Sequence, residues 1–161
     1  MTRDFSTVGV IGLGTMGAGI VEVFARNGID VVAVEVDGPA IEHGKAVLGG
    51  STGRALARGK MTQQEHDALH SRVTFTSNLG DLAPCQLVVE AVPEHLDLKK
   101  ELLGKVDEVV SADAIRTWIQ AGDLAQLWVT LHHVADFLTK DGDLQRARDV
   151  WSQLRDRPGF A

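Results

Sequence analysis

The run Thr7-Val8-Gly9-Val10-Ile11-Gly12-Leu13-Gly14-Thr15-Met16-Gly17-Ala18-Gly19 constrains this chain more than any other segment. A short β-branched strand enters a G-x-G-x-x-G turn, and an apolar-periodic helix leaves it. In such a turn Gly12 permits the tight bend, Gly14 lets the backbone approach a pyrophosphate, and Gly17 lets the helix pack close to the strand. The helix start adds free N–H donors and the positive end of its dipole. A second strand is expected over Asp30–Asp37, with an acid, Glu35, about 20 residues beyond the last glycine. The order strand, glycines, helix, strand, acid predicts a βαβ dinucleotide-binding unit. Glu35 would accept hydrogen bonds from the adenosine ribose. Its charge would repel a 2′-phosphate, so NAD is expected rather than NADP.

The 161 residues are enough for one domain, or one domain with an appendage. A net charge of −6 argues against nucleic acid and anionic membrane as partners. No apolar run is long enough to span a bilayer, and the N-terminus lacks a signal-peptide pattern. The single cysteine, Cys85, cannot form an internal disulfide, which fits a cytoplasmic setting. No spaced His/Cys cluster suggests a metal site.

Apolar spacing predicts the remaining elements. Ile20, Val21, Val23, Phe24 and Ala25 give the first helix an inner face, and Asn27-Gly28 ends it. A second helix starts near Pro39. The run Gly49-Gly50-Ser51-Thr52-Gly53 is expected to interrupt or bend it, because glycine is costly inside a helix. Thr62-Gln63-Gln64-Glu65 has the form of a capping box opening a third helix. Val73–Ser77 reads as a third strand, Leu79–Leu82 as a turn or short helix, and Leu87–Val92 as a buried fourth strand. Leu96–Val110 is amphipathic at helical spacing.

These residues resemble a known family. Residues 7–115 are similar to the NAD-binding domain of 3-hydroxyacyl-CoA dehydrogenases, including the 3-hydroxybutyryl-CoA enzymes. The matching pieces are Val8 to Gly17, Gly59-Lys60-Met61-Thr62, Val73-Thr74-Phe75-Thr76 and, most specific, Val88-Val89-Glu90-Ala91-Val92-Pro93-Glu94-His95-Leu96-Asp97-Leu98-Lys99-Lys100. A two-helix insertion after the second strand is a further family trait. The resemblance implies an α/β, Rossmann-type parallel sheet with NAD as cofactor. It assigns the pyrophosphate to Gly12, Gly14 and Gly17, with Leu13, Thr15 and Met16 in the same cofactor-contacting turn. The adenosine ribose falls to Glu35 and the nicotinamide side to Ala91 and Val92. Glu94 and Lys99 sit where the family contacts the cofactor near its nicotinamide half. Ser51 and Arg58 fall where the family touches coenzyme A. Read without the family, Glu94 and Lys99 also suit an ordinary strand-to-helix turn, and Ser51 and Arg58 a glycine-loosened loop.

After Ile115 the family continues with a short strand and an Asn-Thr-Ser-Ser segment, then a His-Phe-Phe-Asn-Pro segment carrying the general base, its orienting glutamate, and an all-helical domain. None of these is expected here, so no catalytic residue is assigned. Arg116-Thr117-Trp118-Ile119-Gln120 stands in place of the serine segment. Residues 116–161 are helical in pattern and resemble one hairpin of a tetratricopeptide-like repeat. Their charges balance, while residues 1–115 carry all the net negative charge, which marks a boundary near Ile115. The division expected is therefore a Rossmann domain over 1–115 and a helical αα-hairpin over 116–161. His132 and His133 point in different directions on a helix and read as packing or surface residues.

Three readings follow. The first is the cofactor domain of an NAD-dependent 3-hydroxyacyl-CoA dehydrogenase, of fatty acid metabolism, inactive alone because its catalytic half is missing. The second is a non-catalytic NAD(H)-binding module that presents its hairpin to a protein partner or a second copy. The third is a truncated or rearranged product. Acyl-CoA is an expected ligand only of the first.

Overall fold

A computed structural model of the chain describes residues 6–93, 96–111 and 114–118. The hairpin expected over 116–161 lies, from residue 119 onward, outside the described residues. So does Glu94.

Among the described residues, five strands form one all-parallel sheet in the order β3-β2-β1-β4-β5. The strands are β1 (Thr7–Ile11), β2 (Asp30–Val34), β3 (Val73–Thr76), β4 (Leu87–Glu90) and β5 (Ile115–Trp118). Helices α1 (Thr15–Arg26), α2 (Gly38–Ala57), α3 (Gln63–Ser71) and α4 (Leu96–Val109) connect them, with a 3₁₀ turn at Leu79–Leu82. All strands run the same way, but the order in which successive strands are added reverses between β1 and β4, which is where such sheets open a ligand crevice at their carboxyl edge.

Side chains alternate across each strand, so the two faces have separate cores. Ile11, Val32, Val34 and Val88 pack with Leu82, Cys85, and Val106 and Val110 of α4. Val8, Val10, Val31, Ala33, Leu87 and Val89 are also buried, and alternation turns them to the other face, which α1 covers. Every residue of α1 from Gly17 to Ala25 is buried, because α2 and α3 pack over its outer side. That second layer explains why α1 carries so little polar surface.

The expected break in α2 does not occur. The helix runs unbroken from Gly38 through the glycine run to Ala57. Tertiary contacts offset the local cost of glycine. Gly44 lies so close to Leu13 that a Cβ there would come within 2.5 Å of the Leu13 side chain. Thr52 is fully buried, donates its hydroxyl back to the Leu48 carbonyl at 3.1 Å, and meets His70 Nε2 of α3 at 3.0 Å. With the Thr52 proton committed to a carbonyl, His70 donates to the Thr52 oxygen. The capping box at Thr62 is present as the spacing predicts, with both Thr62 and Glu65 bonding reciprocally.

Three strands are shorter than expected, β3 by the single residue Ser77. β2 stops at Val34, because Asp37 turns to cap α2 through the Ala40 N–H at 2.8 Å. β4 stops at Glu90, whose own side chain bends the chain back (below). Beyond Ile115 a strand is found where none was expected: Ile115–Trp118 pairs in parallel with Leu87–Glu90. The helical pattern read over 116–161 thus fails at its start. Among the described residues no helix is long and apolar enough to cross a membrane.

Candidate functional site

The site begins at the glycine turn. Gly12 has φ +91°, a left-handed conformation that penalises any side chain. A Cβ on Gly12 would also lie 2.8 Å from the Ala91 carbonyl oxygen and 3.2 Å from Val92 Cγ1. Gly17 has no room either, since a Cβ would collide with the Gly12 carbonyl oxygen. The first and third glycines are therefore required by the protein itself. Gly14 differs. It is exposed, and a Cβ there would meet nothing within 4 Å. A glycine kept where the protein leaves open space fits close approach by a ligand.

The start of α1 supports that assignment. No side chain caps it and its first turn holds no acid. By contrast, Asp37 caps α2, Thr62 caps α3 and Asn78 caps the 3₁₀ turn. The first N–H groups of α1 lack intrahelical acceptors by geometry. Together with the helix dipole they form an anion cradle. Thr15 is exposed and Met16 half-buried at this turn, while Leu13 is buried beneath it.

Glu35, at the carboxyl end of β2, reaches the same turn. Its Oε1 accepts the Leu13 N–H at 2.6 Å and its Oε2 accepts the Val36 N–H at 3.0 Å. Each carboxylate oxygen has a second acceptor site, so two hydroxyls can still be bound. Val36 beside it is 82% exposed, an aliphatic platform at the open edge of the sheet. Glu35, Val36 and Asp37 offer two negative charges and no cation. This donor and acceptor set fits a dinucleotide with a free ribose diol.

On the other side of the turn, Ala91 continues the β1–β4 ladder through its N–H to the Ile11 carbonyl at 2.8 Å. Ala91 and Val92 are half-buried against Gly12. Lys99, from the first turns of α4, comes to the same edge. Its side chain is only 9% exposed, and Nζ lies 3.4 Å from Glu90 Oε2. Glu90 is 2% exposed, and its Oε1 accepts the Val92 N–H at 2.6 Å.

Glu90 is a residue of this edge that the sequence pattern does not single out. The available signal was a glutamate closing the otherwise apolar strand Leu87-Val88-Val89-Glu90, since a buried carboxylate demands a partner. The fold thus gathers Gly12 to Gly17, Glu35, Ala91, Val92 and Lys99 at one edge. It does not bring Ser51 and Arg58 there. Ser51 is half-buried in the second half of α2, and Arg58 is exposed at its C-cap. Two residues on, the Lys60 carbonyl accepts Arg26 Nη2 at 3.0 Å, at the far end of α1 from the glycine turn.

Comparison with known proteins agrees with this geometry. A family model described as "3-hydroxyacyl-CoA dehydrogenase, NAD binding domain" matches residues 7–117. A 3-hydroxybutyryl-CoA dehydrogenase of Mycobacterium tuberculosis is 40% identical over 111 residues, covering 69% of this chain and 39% of that protein. The crystal structure of M. tuberculosis FadB2 superimposes with a TM-score of 0.71 at 39% identity, covering 72% of this chain and 41% of that one. The (S)-3-hydroxybutyryl-CoA dehydrogenase PaaH1 of Ralstonia eutropha gives 0.69 at 31% identity, covering 71% and 41%. The chain spans about two fifths of the length of these relatives. With the motif, the parallel sheet and the family match in register over residues 7–117, the chain belongs to the 3-hydroxyacyl-CoA dehydrogenase family and carries its NAD-binding domain.

Proposed function

We propose that these 161 residues bind NAD(H) as the cofactor half of a 3-hydroxyacyl-CoA dehydrogenase and do not turn over substrate by themselves. The observation that carries the reading is the contrast at the glycine turn. Gly12 and Gly17 are sterically required, whereas Gly14 faces open space beside an uncapped helix start. In this reading Gly12, Leu13, Gly14, Thr15, Met16 and Gly17 hold the pyrophosphate. Glu35, oriented by the Leu13 N–H, accepts the adenosine ribose hydroxyls. Its charge and that of Asp37 disfavour a 2′-phosphate. Ala91, Val92, Glu94 and Lys99 serve the nicotinamide half.

The nicotinamide, when bound, supplies the hydride acceptor. A dehydrogenase also needs a group that takes the hydroxyl proton. No histidine stands at the described carboxyl edge: His66 and His70 lie on α3 and His43 on α2. Acyl-CoA is the proposed second ligand. Ser51 and Arg58 could contact it only away from the glycine turn, on the α2 face. A protein partner or second copy that completes the active site is part of the same proposal, as is a cytoplasmic setting, which suits the lone buried thiol of Cys85.

The test is calorimetric titration with NADH, followed by addition of acetoacetyl-CoA while the reduced nicotinamide absorbance is recorded. Saturable binding with no loss of absorbance supports the proposal. Turnover would show that a base is present in the chain or its oligomer. Absence of binding would refute the cofactor assignment for this chain.

A further inference from the structure

Helix α2 is anchored unevenly along its length. Asp37 caps its start, Gly44 lies against Leu13, and Leu48 is buried. Beyond its end the chain is fixed again, where the Lys60 carbonyl accepts Arg26 Nη2 and Met61 is buried. Between these anchors, residues 49–57 include Gly49, Gly50 and Gly53, and Thr52 is the one buried residue of the stretch. A Cβ on Gly49 or on Gly53 would meet nothing within 4 Å, so packing requires neither glycine. Each weakens the helix interior in which it sits.

Thr52 is a polar anchor. Its hydroxyl donates to the Leu48 carbonyl at 3.1 Å, a bond within α2 that does not hold the helix to its neighbours. The tie across to α3 is the 3.0 Å contact with His70 Nε2. Because the Thr52 proton is committed to Leu48, the ring donates from Nε2, and Nδ1 is left to take up any further proton.

The groups facing His70 decide how that proton is received. Burial is the first cause that holds its pKa below the ordinary 6.5. The His66 ring, whose centroid is 4.5 Å away on the same helix, also opposes a positive charge. Asp67 on α3 and Glu22 on α1 favour one, and the balance stays downward. From α2 the ring meets the uncharged Thr52 hydroxyl. A base held lower when packed than when free stabilises the packed state above its free value. That contribution is lost as pH falls from there through the packed value.

We propose that residues 49–57 of α2 form a pH-sensitive flap, held closed by neutral His70 against Thr52 and released when the ring takes up a second proton. The glycines make the stretch easy to release, and the clasp makes release depend on pH. None of these groups belongs to the glycine turn, so the device stands apart from the cofactor reading and its test needs no ligand.

Amide hydrogen exchange of the whole chain is followed by mass spectrometry at about pH 7.5 and about pH 5.5, and rates are converted to protection factors. Protection of residues 50–57 should fall about three- to tenfold at the lower pH, the upper figure being the limit set by a free histidine value of 6.5. Residues 40–48 should keep theirs. Glu65 and Asp67 take up protons below this window, since both are held under the ordinary carboxylate values. His70→Gln offers Thr52 an amide donor without a titrating ring and should abolish the fall, whereas His66→Gln should keep it. Gly49→Ala with Gly53→Ala should raise protection of residues 50–57 about five- to thirtyfold at both pH values and leave their ratio unchanged. The proposal is overturned by equal protection at the two pH values, by a fall that persists in His70→Gln, or by a fall shared with residues 40–48. Absence of a rise in the glycine double variant also overturns it. If His70→Gln does not fold, His66→Gln decides: a fall that persists supports the proposal, and one that vanishes overturns it.

Discussion

The Glu35 carboxylate accepts the Leu13 N–H at 2.6 Å, joining the end of β2 to the middle of the glycine turn across 22 residues of chain. The acid is thus oriented by the same turn that addresses the pyrophosphate. Replacing Glu35 with alanine should weaken NADH binding by about 1.5–3 kcal/mol, the scale of hydrogen bonds to a charged group. It should also narrow the gap between NADH and NADPH, because the charge opposing a 2′-phosphate is gone. Parallel titrations with the two cofactors check both points. Unchanged NADH affinity would remove Glu35 from the ribose site.

The three glycines should separate into two kinds on mutation. Gly14→Ala meets no protein atom, so its melting temperature should stay within the equivalent of about 1 kcal/mol of wild type while NADH affinity falls. Gly17→Ala drives a Cβ into the Gly12 carbonyl, a backbone atom that cannot rotate away. Its cost should reach or exceed the about 1–3 kcal/mol typical of overpacking. Thermal melts and titrations on the same two proteins distinguish the effects.

Glu65 should contribute an acid-sensitive part of the stability of α3. Its pKa is lowered mainly by the backbone N–H of Thr62, then by the Thr62 hydroxyl. A carboxylate held lower in the folded state than in the unfolded chain stabilises above its unfolded value. That contribution is lost as pH falls through the folded value. Melting temperature measured from neutral to acid pH should therefore drop less steeply in Glu65→Gln than in wild type. At neutral pH, Thr62→Ala should cost about 0.5–2 kcal/mol through loss of the cap.

Cys85 should be inert in the folded protein. Burial beneath the 3₁₀ turn pushes its thiol pKa up to about 11, so little thiolate exists at neutral pH. A chromogenic disulfide reagent should react with it only as fast as the chain unfolds, and rapidly in denaturant. Fast labelling under native conditions would contradict the packing of Cys85 against Val88.

Much of this molecule was legible before folding, for identifiable reasons. The glycine turn, Glu35 and the capping box at Thr62 depend on contacts within a few residues or on a fixed βαβ spacing, and all are found at the expected positions. The misreadings share one cause. Local propensity disfavours a helix through the glycine run at 49–53, but Leu13 packs against Gly44 and Thr52 is anchored to His70, so the helix persists. The strand at Ile115–Trp118 was hidden because its support is the hydrogen-bonded edge of β4 rather than an alternating pattern. No local pattern marks Glu90, because Lys99, which stands against it, lies on the next helix.

The sequence by itself determined the βαβ frame and the cofactor class, since turn conformation, strand patterning and the placement of an acid near the turn are short-range properties written in residue type. Only the tertiary structure decided that Gly14 faces open space while Gly12 and Gly17 do not. It alone decided that Arg58 lies away from the glycine turn and that Lys99 stands against a buried carboxylate. Those outcomes depend on which elements pack together and how close they come, and distances between segments far apart in the chain follow from packing, not from local pattern.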